Sequence, residues 1–320
     1  MKSIEQRRHI PTRTRIHAAR DAGYQLSKTR SYFDCQFTNQ PQIIMNRITT
    51  DPNRPILLIR GLLRETRHWG KFLDMLKATF PTREVITLDI AGNGPRYREQ
   101  SATSVSEMVD DLRHQLSAYQ SCSGQPVGTY RAADSVDIIA ISLGGMITLE
   151  WMRRFPQEVH SAILINSSLG NYSPFYKRLK WQQYTNIVRY FFISDPKRES
   201  LIFAMTTRQS PPSIINNWIK WRVACPISAS NALRQLYAAS RYRYAAVPTA
   251  ITLLIGSQQD ALVDISCSKA LAKAWNTPLL LHPEAGHDLP TDDPDWLIDK
   301  IQLYYQRQAV PDKEYECEMN

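Results

Sequence analysis

The chain has 320 residues, of which 43% are hydrophobic and 22% are charged, as is typical of a folded globular protein. No apolar run is long enough to cross a membrane as a helix, so we expect no transmembrane segment. The N-terminus lacks an apolar stretch, so we expect no secretory signal peptide. The five cysteines are scattered without metal-ligand spacing, which favours reduced thiols and a cytoplasmic location.

The formal net charge of +9 is concentrated in two regions. Residues 1–30 carry eight Lys or Arg against two acids, and residues 171–247 carry twelve against two. The remainder of the chain is therefore net negative. Because the positive charge is local, it gives only weak support to nucleic-acid binding, and we expect no nucleic-acid partner.

Composition divides the chain into four regions. Residues 1–40 are polar and basic without a clear apolar period, which predicts a flexible N-terminal extension. Residues 41–170 and 248–305 contain the apolar runs and form the expected core. Residues 171–247 hold 14 of the 31 aromatic residues and show helical stretches but no convincing strand, which predicts a helical cap. Residues 306–320 form an acidic C-terminal tail.

Seven short apolar runs predict β-strands, with helical patterns between several of them. One helix is expected through Phe72 and Leu76, and another from Ser104 to Leu116 with Ser104 or Ser106 as its N-cap. Apolar strands that alternate with helices indicate an α/β protein with a mostly parallel, doubly wound sheet covered on both faces. The predicted strands span residues 43–45, 55–60, 84–89, 136–141, 162–165, 250–255 and 278–281.

Ser142 lies between a buried strand and a helical pattern. The chain must reverse sharply there, which predicts a strained backbone and a side chain that projects from the sheet edge. Such a turn needs small residues two positions before and two after the serine, and Ala140 and Gly144 fill these places. The N–H of Leu143 then points to where an anion could form at the helix N-terminus. Ser142 is therefore a candidate nucleophile.

A serine nucleophile needs a base to take its proton and an acid to orient that base. His287 is the candidate base because it follows the last predicted strand by a few residues. His282 and His68 are the alternatives. Asp260, in the loop after the penultimate strand, is the preferred acid, with Asp264 as its rival, and either carboxylate is also a potential helix N-cap. The other histidines fall in the extension or in helical patterns: His9, His17, His114 and His160.

The order of these residues resembles that of the α/β-hydrolase family, in particular its lipase- and esterase-like members with a helical cap. The resemblance covers about residues 41–305 and implies an α/β-hydrolase fold with the cap inserted after the sixth strand. It also implies an oxyanion hole made by the backbone N–H groups of Leu62 and Leu143. The landmarks are Arg60-Gly61, Asp89 with Gly92-Asn93-Gly94, the Ser142 turn, Gly256 with Asp260 and Val263, and Gly286-His287.

Two positions depart from the family pattern. The family often has His-Gly where this chain has Arg60-Gly61. The loop contributes through its backbone, so Arg60 need not abolish the oxyanion hole, and it could instead form a salt bridge with a core acid. Ala140 replaces the first glycine of the usual Gly-x-Ser-x-Gly.

The resemblance implies a serine hydrolase that cleaves a carboxylic ester or thioester with Ser142, His287 and Asp260 as catalytic triad. It implies no metal and no organic cofactor. The expected substrate is a small ester or acyl compound, either apolar or anionic, because the cap is both aromatic and basic. The groups that could attract an anion, or form only a solvated basic face, are Lys177, Arg178, Lys180, Arg222, Arg241 and Arg243.

Three alternatives stay open at this point. The same triad performs other acyl chemistry, such as amide or carbon–carbon bond hydrolysis or acyl transfer. A non-catalytic binding protein can use a hydrolase scaffold. The basic segments can bind nucleic acid or an anionic surface. The sequence leaves the oligomeric state and the acyl length open.

Overall fold

The computed structural model describes residues 53–122, 135–211 and 213–309. Three of the expected features lie wholly or mostly outside these ranges: the N-terminal extension, the strand at residues 43–45 and the C-terminal tail.

The described residues form one six-stranded sheet with the order β2-β1-β3-β4-β5-β6. Every neighbouring pair of strands is parallel, which confirms the expected doubly wound α/β class. The strands are β1 (Ile56–Ile59), β2 (Val85–Leu88), β3 (Val136–Ile141), β4 (Val159–Ile165), β5 (Ile251–Ser257) and β6 (Leu279–His282).

The register of the central strands brings their carboxyl ends to one edge. Ala140 near the end of β3 lies opposite Ile59 of β1 and Leu164 of β4. All six positions of β3 are buried, because helices cover both faces of the sheet. The loops that follow β1, β3, β4, β5 and β6 therefore meet at the same edge, where polar side chains from distant parts of the sequence can touch.

Eleven α-helices accompany the sheet in the described residues. Before β5 they are α1 (Lys71–Thr79), α2 (Val105–Cys122), α3 (Leu143–Arg154), α4 (Phe175–Arg178), α5 (Tyr184–Tyr190), α6 (Asp195–Thr206), α7 (Ile214–Ala224) and α8 (Ala229–Arg241). After β5 they are α9 (Ile265–Trp275), α10 (Leu289–Asp292) and α11 (Pro294–Ala309).

Helix α2 shows how sequence pattern becomes packing. Five apolar side chains at helical spacing form one buried stripe against the sheet: Val105, Met108, Val109, Leu112 and Leu116. The helix begins after Ser104, whose Oγ accepts a hydrogen bond from the N–H of Glu107 at 3.2 Å. Ser104 is therefore the N-cap, one of the two caps that the sequence allows.

Helices α4 to α8 lie between β4 and β5, and the described residues 171–211 and 213–247, here called the inserted segment, contain no strand. An apolar cluster joins this segment to Leu63 in the loop after β1, so the segment rests on the edge where the strands end. The insertion follows the fourth described strand, and its expected place after a sixth strand is not confirmed. The cluster consists of Leu63, Tyr190, Ile202, Ile227 and Ala232.

Within the described ranges, no helix combines the length and apolar character that a bilayer crossing requires.

Candidate active site

Ser142 stands at the turn between β3 and α3 with φ 57° and ψ −118°, a conformation that residues with a side chain rarely adopt. Gly144 lets α3 approach β1 closely, since a Cβ there would lie 2.4 Å from the carbonyl oxygen of Ile59. Ala140 is buried and keeps a negative φ, so alanine serves where the family usually has glycine. The turn thus holds the Ser142 side chain at the sheet edge, as the sequence predicts.

The loop after β1 passes directly beside Ser142. A Cβ on Gly61 would lie 2.9 Å from the Cβ of Ser142, so only glycine fits there. The N–H of Leu63 donates to Oε1 of Gln235 at 3.1 Å. In the part of the chain that the structure describes, the N–H groups of Leu62 and Leu143 donate to no protein acceptor. These two N–H groups, one in the loop after β1 and one at the start of α3, are thus unoccupied by protein acceptors.

His287 and Asp260 are in contact, with 2.7 Å between Nδ1 of His287 and Oδ2 of Asp260. Both side chains are buried. The other carboxylate oxygen of Asp260 accepts the N–H groups of Leu262 at 2.7 Å and Val263 at 2.9 Å, which fixes the loop. A carboxylate at Nδ1 favours the tautomer that carries its proton there, and it leaves Nε2 free to act as a base.

The rivals of these residues have other partners. Asp264 caps α9 by accepting the N–H of Ser266 at 2.9 Å. His282 lies 3.0 Å from Oδ2 of Asp293 and accepts the N–H of Ala285 at 2.8 Å. Neither side chain lines the cavity that contains Ser142.

The inserted segment braces the loop that carries Asp260. The side-chain amine of Lys180 donates to the carbonyl of Asp260 at 2.7 Å, and its backbone N–H donates to the carbonyl of Leu262 at 2.7 Å. The N–H of Asp264 donates to the carbonyl of Lys177 at 2.9 Å. The first turns of the inserted segment are thus tied to the acid loop.

Asn166 is a buried residue of this edge that our reading of the sequence missed. It follows β4 with φ 49°, and its Nδ2 donates to the carbonyl of His287 at 2.8 Å. The N–H of Ser257 donates to Oδ1 of Asn166 at 2.8 Å. The available signal was a polar Asn-Ser-Ser run directly after a buried strand. Asn166 therefore connects the ends of β4 and β5 to the His287 loop.

Arg60 forms a buried, two-pronged ion pair with Asp288 through contacts of 3.1 and 2.5 Å. Burial opposes ionisation of Asp288, but Arg60 holds the pKa of its carboxyl below the usual value. Arg60 precedes Gly61, and Asp288 follows His287, so the pair joins the two loops on either side of Ser142. The salt bridge to a core acid that the sequence allowed for Arg60 is present.

A second buried cluster joins the core to the inserted segment. Glu199 of α6 accepts from both Arg64 and Arg222, with a distance of 3.0 Å between Nε of Arg222 and Oε2. Burial opposes the charge of Glu199, yet Arg64 and Arg222 hold its pKa far below the usual value. Arg222, grouped from the sequence with anion-attracting surface groups, is therefore buried and paired. His68 packs edge-on against Trp218, and burial together with Arg64 lowers the pKa of His68 to about 4.

Ser142 and His287 line the same cavity, whose volume is about 220 Å³. Its walls are mostly apolar and come from the loop after β1, from α3 and from the inserted segment, with Leu62, Met146 and Phe191 among the lining residues. A serine and a carboxylate-bound imidazole at one apolar cavity are the groups that acyl transfer through a covalent intermediate requires.

Within residues 53–122, 135–211 and 213–309, no group of three or more His, Cys, Asp or Glu side chains is placed to hold a metal ion.

The chain matches the model of the alpha/beta hydrolase family over residues 56–300. A search of curated proteins finds no significant match.

Solved structures resemble this fold at low sequence identity. A membrane phospholipase A, a bacterial virulence factor, superposes with a TM-score of 0.64 at 19% identity, with 82% of each chain covered. A thermophilic esterase from Thermogutta terrifontis gives a TM-score of 0.60 at 16% identity, covering 81% of this chain and 91% of its own. A lipase-esterase related protein from Clostridium acetobutylicum gives 0.59 at 15% identity, covering 81% and 96%. At these identities the likeness shows the fold alone.

Since the family model spans most of the chain and the parallel sheet and the Ser142 turn agree with it, the chain belongs to the alpha/beta hydrolase family.

Proposed function

We propose that the protein is a serine hydrolase that cleaves a carboxylic ester or thioester through an acyl-enzyme intermediate. The observation that carries the proposal is that Ser142 and His287 line one cavity while Nδ1 of His287 lies 2.7 Å from Asp260. Similar structures named as an esterase and a phospholipase are in line with ester chemistry. The free thiols of Cys225 and Cys267 favour the cytoplasm as its compartment.

In the proposed mechanism, Oγ of Ser142 attacks the carbonyl carbon of the substrate while Nε2 of His287 takes its proton. The N–H groups of Leu62 and Leu143 stabilise the oxyanion that forms. The tetrahedral intermediate collapses, and the imidazolium gives its proton to the leaving alcohol or thiol. His287 then takes a proton from water, which attacks the acyl-enzyme, releases the acid and restores Ser142. The mechanism uses side chains and backbone of this chain alone.

The cavity also suggests the size of the acyl group. A cavity of roughly 150 Å³ accommodates benzene, so about 220 Å³ suits an acyl chain of about six carbons. Its walls are mostly apolar, so binding would become more favourable by about 0.8 kcal/mol for each buried methylene until the cavity is full.

The test is a series of p-nitrophenyl esters from acetate to palmitate. We expect kcat/KM to rise to about the hexanoate and to fall for longer chains, because the cavity is then full. Ser142→Ala should lower turnover by several orders of magnitude, because the nucleophile is lost. It should not lower the melting temperature, because only the hydroxyl is removed. Turnover by Ser142→Ala at the wild-type rate would refute the proposal.

A further inference from the structure

The cavity that Ser142 and His287 line carries more positive than negative charge. Its charged lining residues are Arg60, Arg64 and Arg178 against the single acid Asp288. Asp288 is bound by Arg60. Arg64 shares Glu199 with Arg222, so two cations there face one carboxylate. An otherwise apolar cavity with surplus positive charge is suited to a ligand that carries an anionic group.

Arg178 is the cavity arginine without an acidic partner. Within the described parts of the chain it forms no ion pair, and its guanidinium donates to the carbonyls of Ser240 at 3.2 Å and Ala239 at 2.6 Å. Its Nε is buried and has no hydrogen-bond partner in the described structure. Burial lowers the pKa of Arg178, and the nearby charge of Arg243 lowers it further. An anion in the cavity would offset both the burial of the guanidinium charge and its repulsion from Arg243.

Capping of helix α8 explains only part of this arrangement. The two carbonyls belong to the last turn of α8, where a cation is favourable. However, Arg243 already donates to the carbonyl of Ser240 at 3.1 Å, and Arg243 does not line the cavity. The two arginines thus share one structural role, but of these two only Arg178 adds a positive charge to the cavity wall.

The position of Arg178 relative to Ser142 limits the length of a ligand that could reach both. Nη2 of Arg178 lies 4.0 Å from Sδ of Met146, which is four residues beyond Ser142 along α3. Four residues correspond to about one helical turn, ~6 Å along the helix axis. Ser142 and Arg178 also line the same cavity of about 220 Å³, so we expect a short carbon chain from the reacting carbonyl to bring a terminal group to the guanidinium.

We propose that Arg178 forms a subsite for a carboxylate at the far end of the acyl group, so that the preferred substrates are monoesters of short dicarboxylic acids. This proposal rests on the proposed function and names its substrate class. A guanidinium binds a carboxylate through charge-assisted hydrogen bonds, and an apolar cavity strengthens them because water competes less.

The test compares mono-p-nitrophenyl adipate with p-nitrophenyl hexanoate, which have acyl chains of equal length and differ in the terminal carboxylate. We expect the wild type to prefer the adipate ester. In Arg178→Gln the ratio of the two kcat/KM values should fall by about ten- to hundred-fold, the usual loss for a charged hydrogen bond. Arg178→Lys should restore part of the ratio, because it keeps the charge but not the planar fork.

Arg243→Gln is the matched control, because Arg243 shares the Ser240 carbonyl but lies outside the cavity. It should leave the ratio unchanged. The preference should also persist in strong salt, since a buried contact is screened much less than an exposed charge. An equal loss for both esters in Arg178→Gln, or the same selective loss in Arg243→Gln, would overturn the subsite.

Binding to Ser142→Ala separates the subsite from the hydrolase proposal and does not depend on turnover. Calorimetry with monoethyl adipate and ethyl hexanoate should show tighter binding of the adipate ester, lost when Arg178→Gln is added. That result with no hydrolysis by the wild type would keep the subsite and refute the function. Equal binding of the two esters, with normal hydrolysis by the wild type, would refute the subsite and keep the function. If Arg178→Gln does not fold, the same comparison is made with Arg178→Lys. An unchanged preference for the adipate ester, with unchanged affinity for both esters, would then count against the subsite.

Discussion

The sheet and the inserted segment handle buried charge differently. Two arginines of the sheet and its loops each have an acid of their own: Arg60 pairs with Asp288 and Arg83 with Asp137. In the inserted segment Glu199 binds two arginines, Arg222 and Arg64 of the loop after β1, and Arg178 has no acid among the described residues. One-to-one pairs fix the geometry of loops, whereas an unbalanced set leaves positive charge for a ligand.

The two regions differ in their surfaces as well. Of the large apolar side chains that are exposed in the described residues, all except Tyr119 belong to the inserted segment. They include Phe192, which is 83% exposed, and Phe175, which is 69% exposed and also lines the cavity. The apolar side chains of the sheet, by contrast, are largely buried. Thus the sheet buries its apolar side chains, whereas the inserted segment exposes several of them to solvent.

The largest expected effect comes from a substitution in the proposed catalytic residues at the sheet edge. Asp260→Asn should lower kcat by about 10³- to 10⁴-fold, because an amide at Nδ1 favours the wrong tautomer of His287. Asp264→Asn is the matched control: it keeps the side-chain oxygen that caps α9 and should change kcat less than about two-fold. Steady-state kinetics on p-nitrophenyl hexanoate measure both. A large loss in Asp264→Asn alone would transfer the acid role to that residue.

A smaller effect tests the one-to-one pairing in the sheet. Arg60→Gln leaves Asp288 buried without its cation, which should lower the free energy of unfolding by about 3–5 kcal/mol. The control, Arg153→Gln, removes an arginine that is 54% exposed in its pair with Glu150, and should cost less than about 1 kcal/mol. Urea denaturation measures both. Equal costs for the two variants would show that the Arg60 pair does not hold the loops together.

The smallest effect contrasts His68, packed against the inserted segment, with Asp89 at the end of β2. Burial and Arg64 lower the pKa of His68 to about 4, so the free energy of unfolding should fall by up to roughly 3 kcal/mol as the pH drops from 6.5 to 4. Burial raises the pKa of Asp89 to about 6, so its contribution to stability is lost as the pH rises from 4 to 6. The His68 and Asp89 titrations therefore change the free energy of unfolding in opposite directions as the pH rises.

The variants separate these two titrations. Asp89→Asn should make the protein lose stability more steeply on acidification, and His68→Gln should reverse the slope. Urea denaturation at pH 4, 5, 6 and 7 measures the slopes. If the free energy of unfolding kept the same pH dependence in both variants, the shifted pKa values of His68 and Asp89 would be contradicted.

The sequence allowed the fold and the neighbourhood of Ser142, Asp260 and His287 to be predicted for a physical reason. In a parallel sheet the loops after the strands share one edge, so residues far apart in sequence meet once each strand is recognised. The contact between His287 and Asp260, and the role of Asp264 as a helix cap, agree with the expected arrangement.

Other features could not be predicted, because they depend on how the inserted helices fold back. Arg64 and Glu199 are separated by 135 positions, and Arg222 reaches the same carboxylate from α7. No local pattern marks such a cluster, and composition alone grouped Arg222 with cations that either attract an anion or form a solvated face. Asn166 was missed because an asparagine after a strand is usually a turn residue. Its buried contact with the His287 carbonyl appears only in three dimensions.

The most direct test of the account is covalent labelling with a fluorophosphonate, which reacts with a serine hydroxyl activated by a neighbouring base. Mass spectrometry of the labelled protein should show one adduct, located on the peptide that contains Ser142. Labelling should be absent in Ser142→Ala and strongly slowed in His287→Ala, while Arg243→Gln should react like the wild type. An adduct on another serine, or undiminished labelling of Ser142→Ala, would contradict the central claim that Ser142 is the nucleophile.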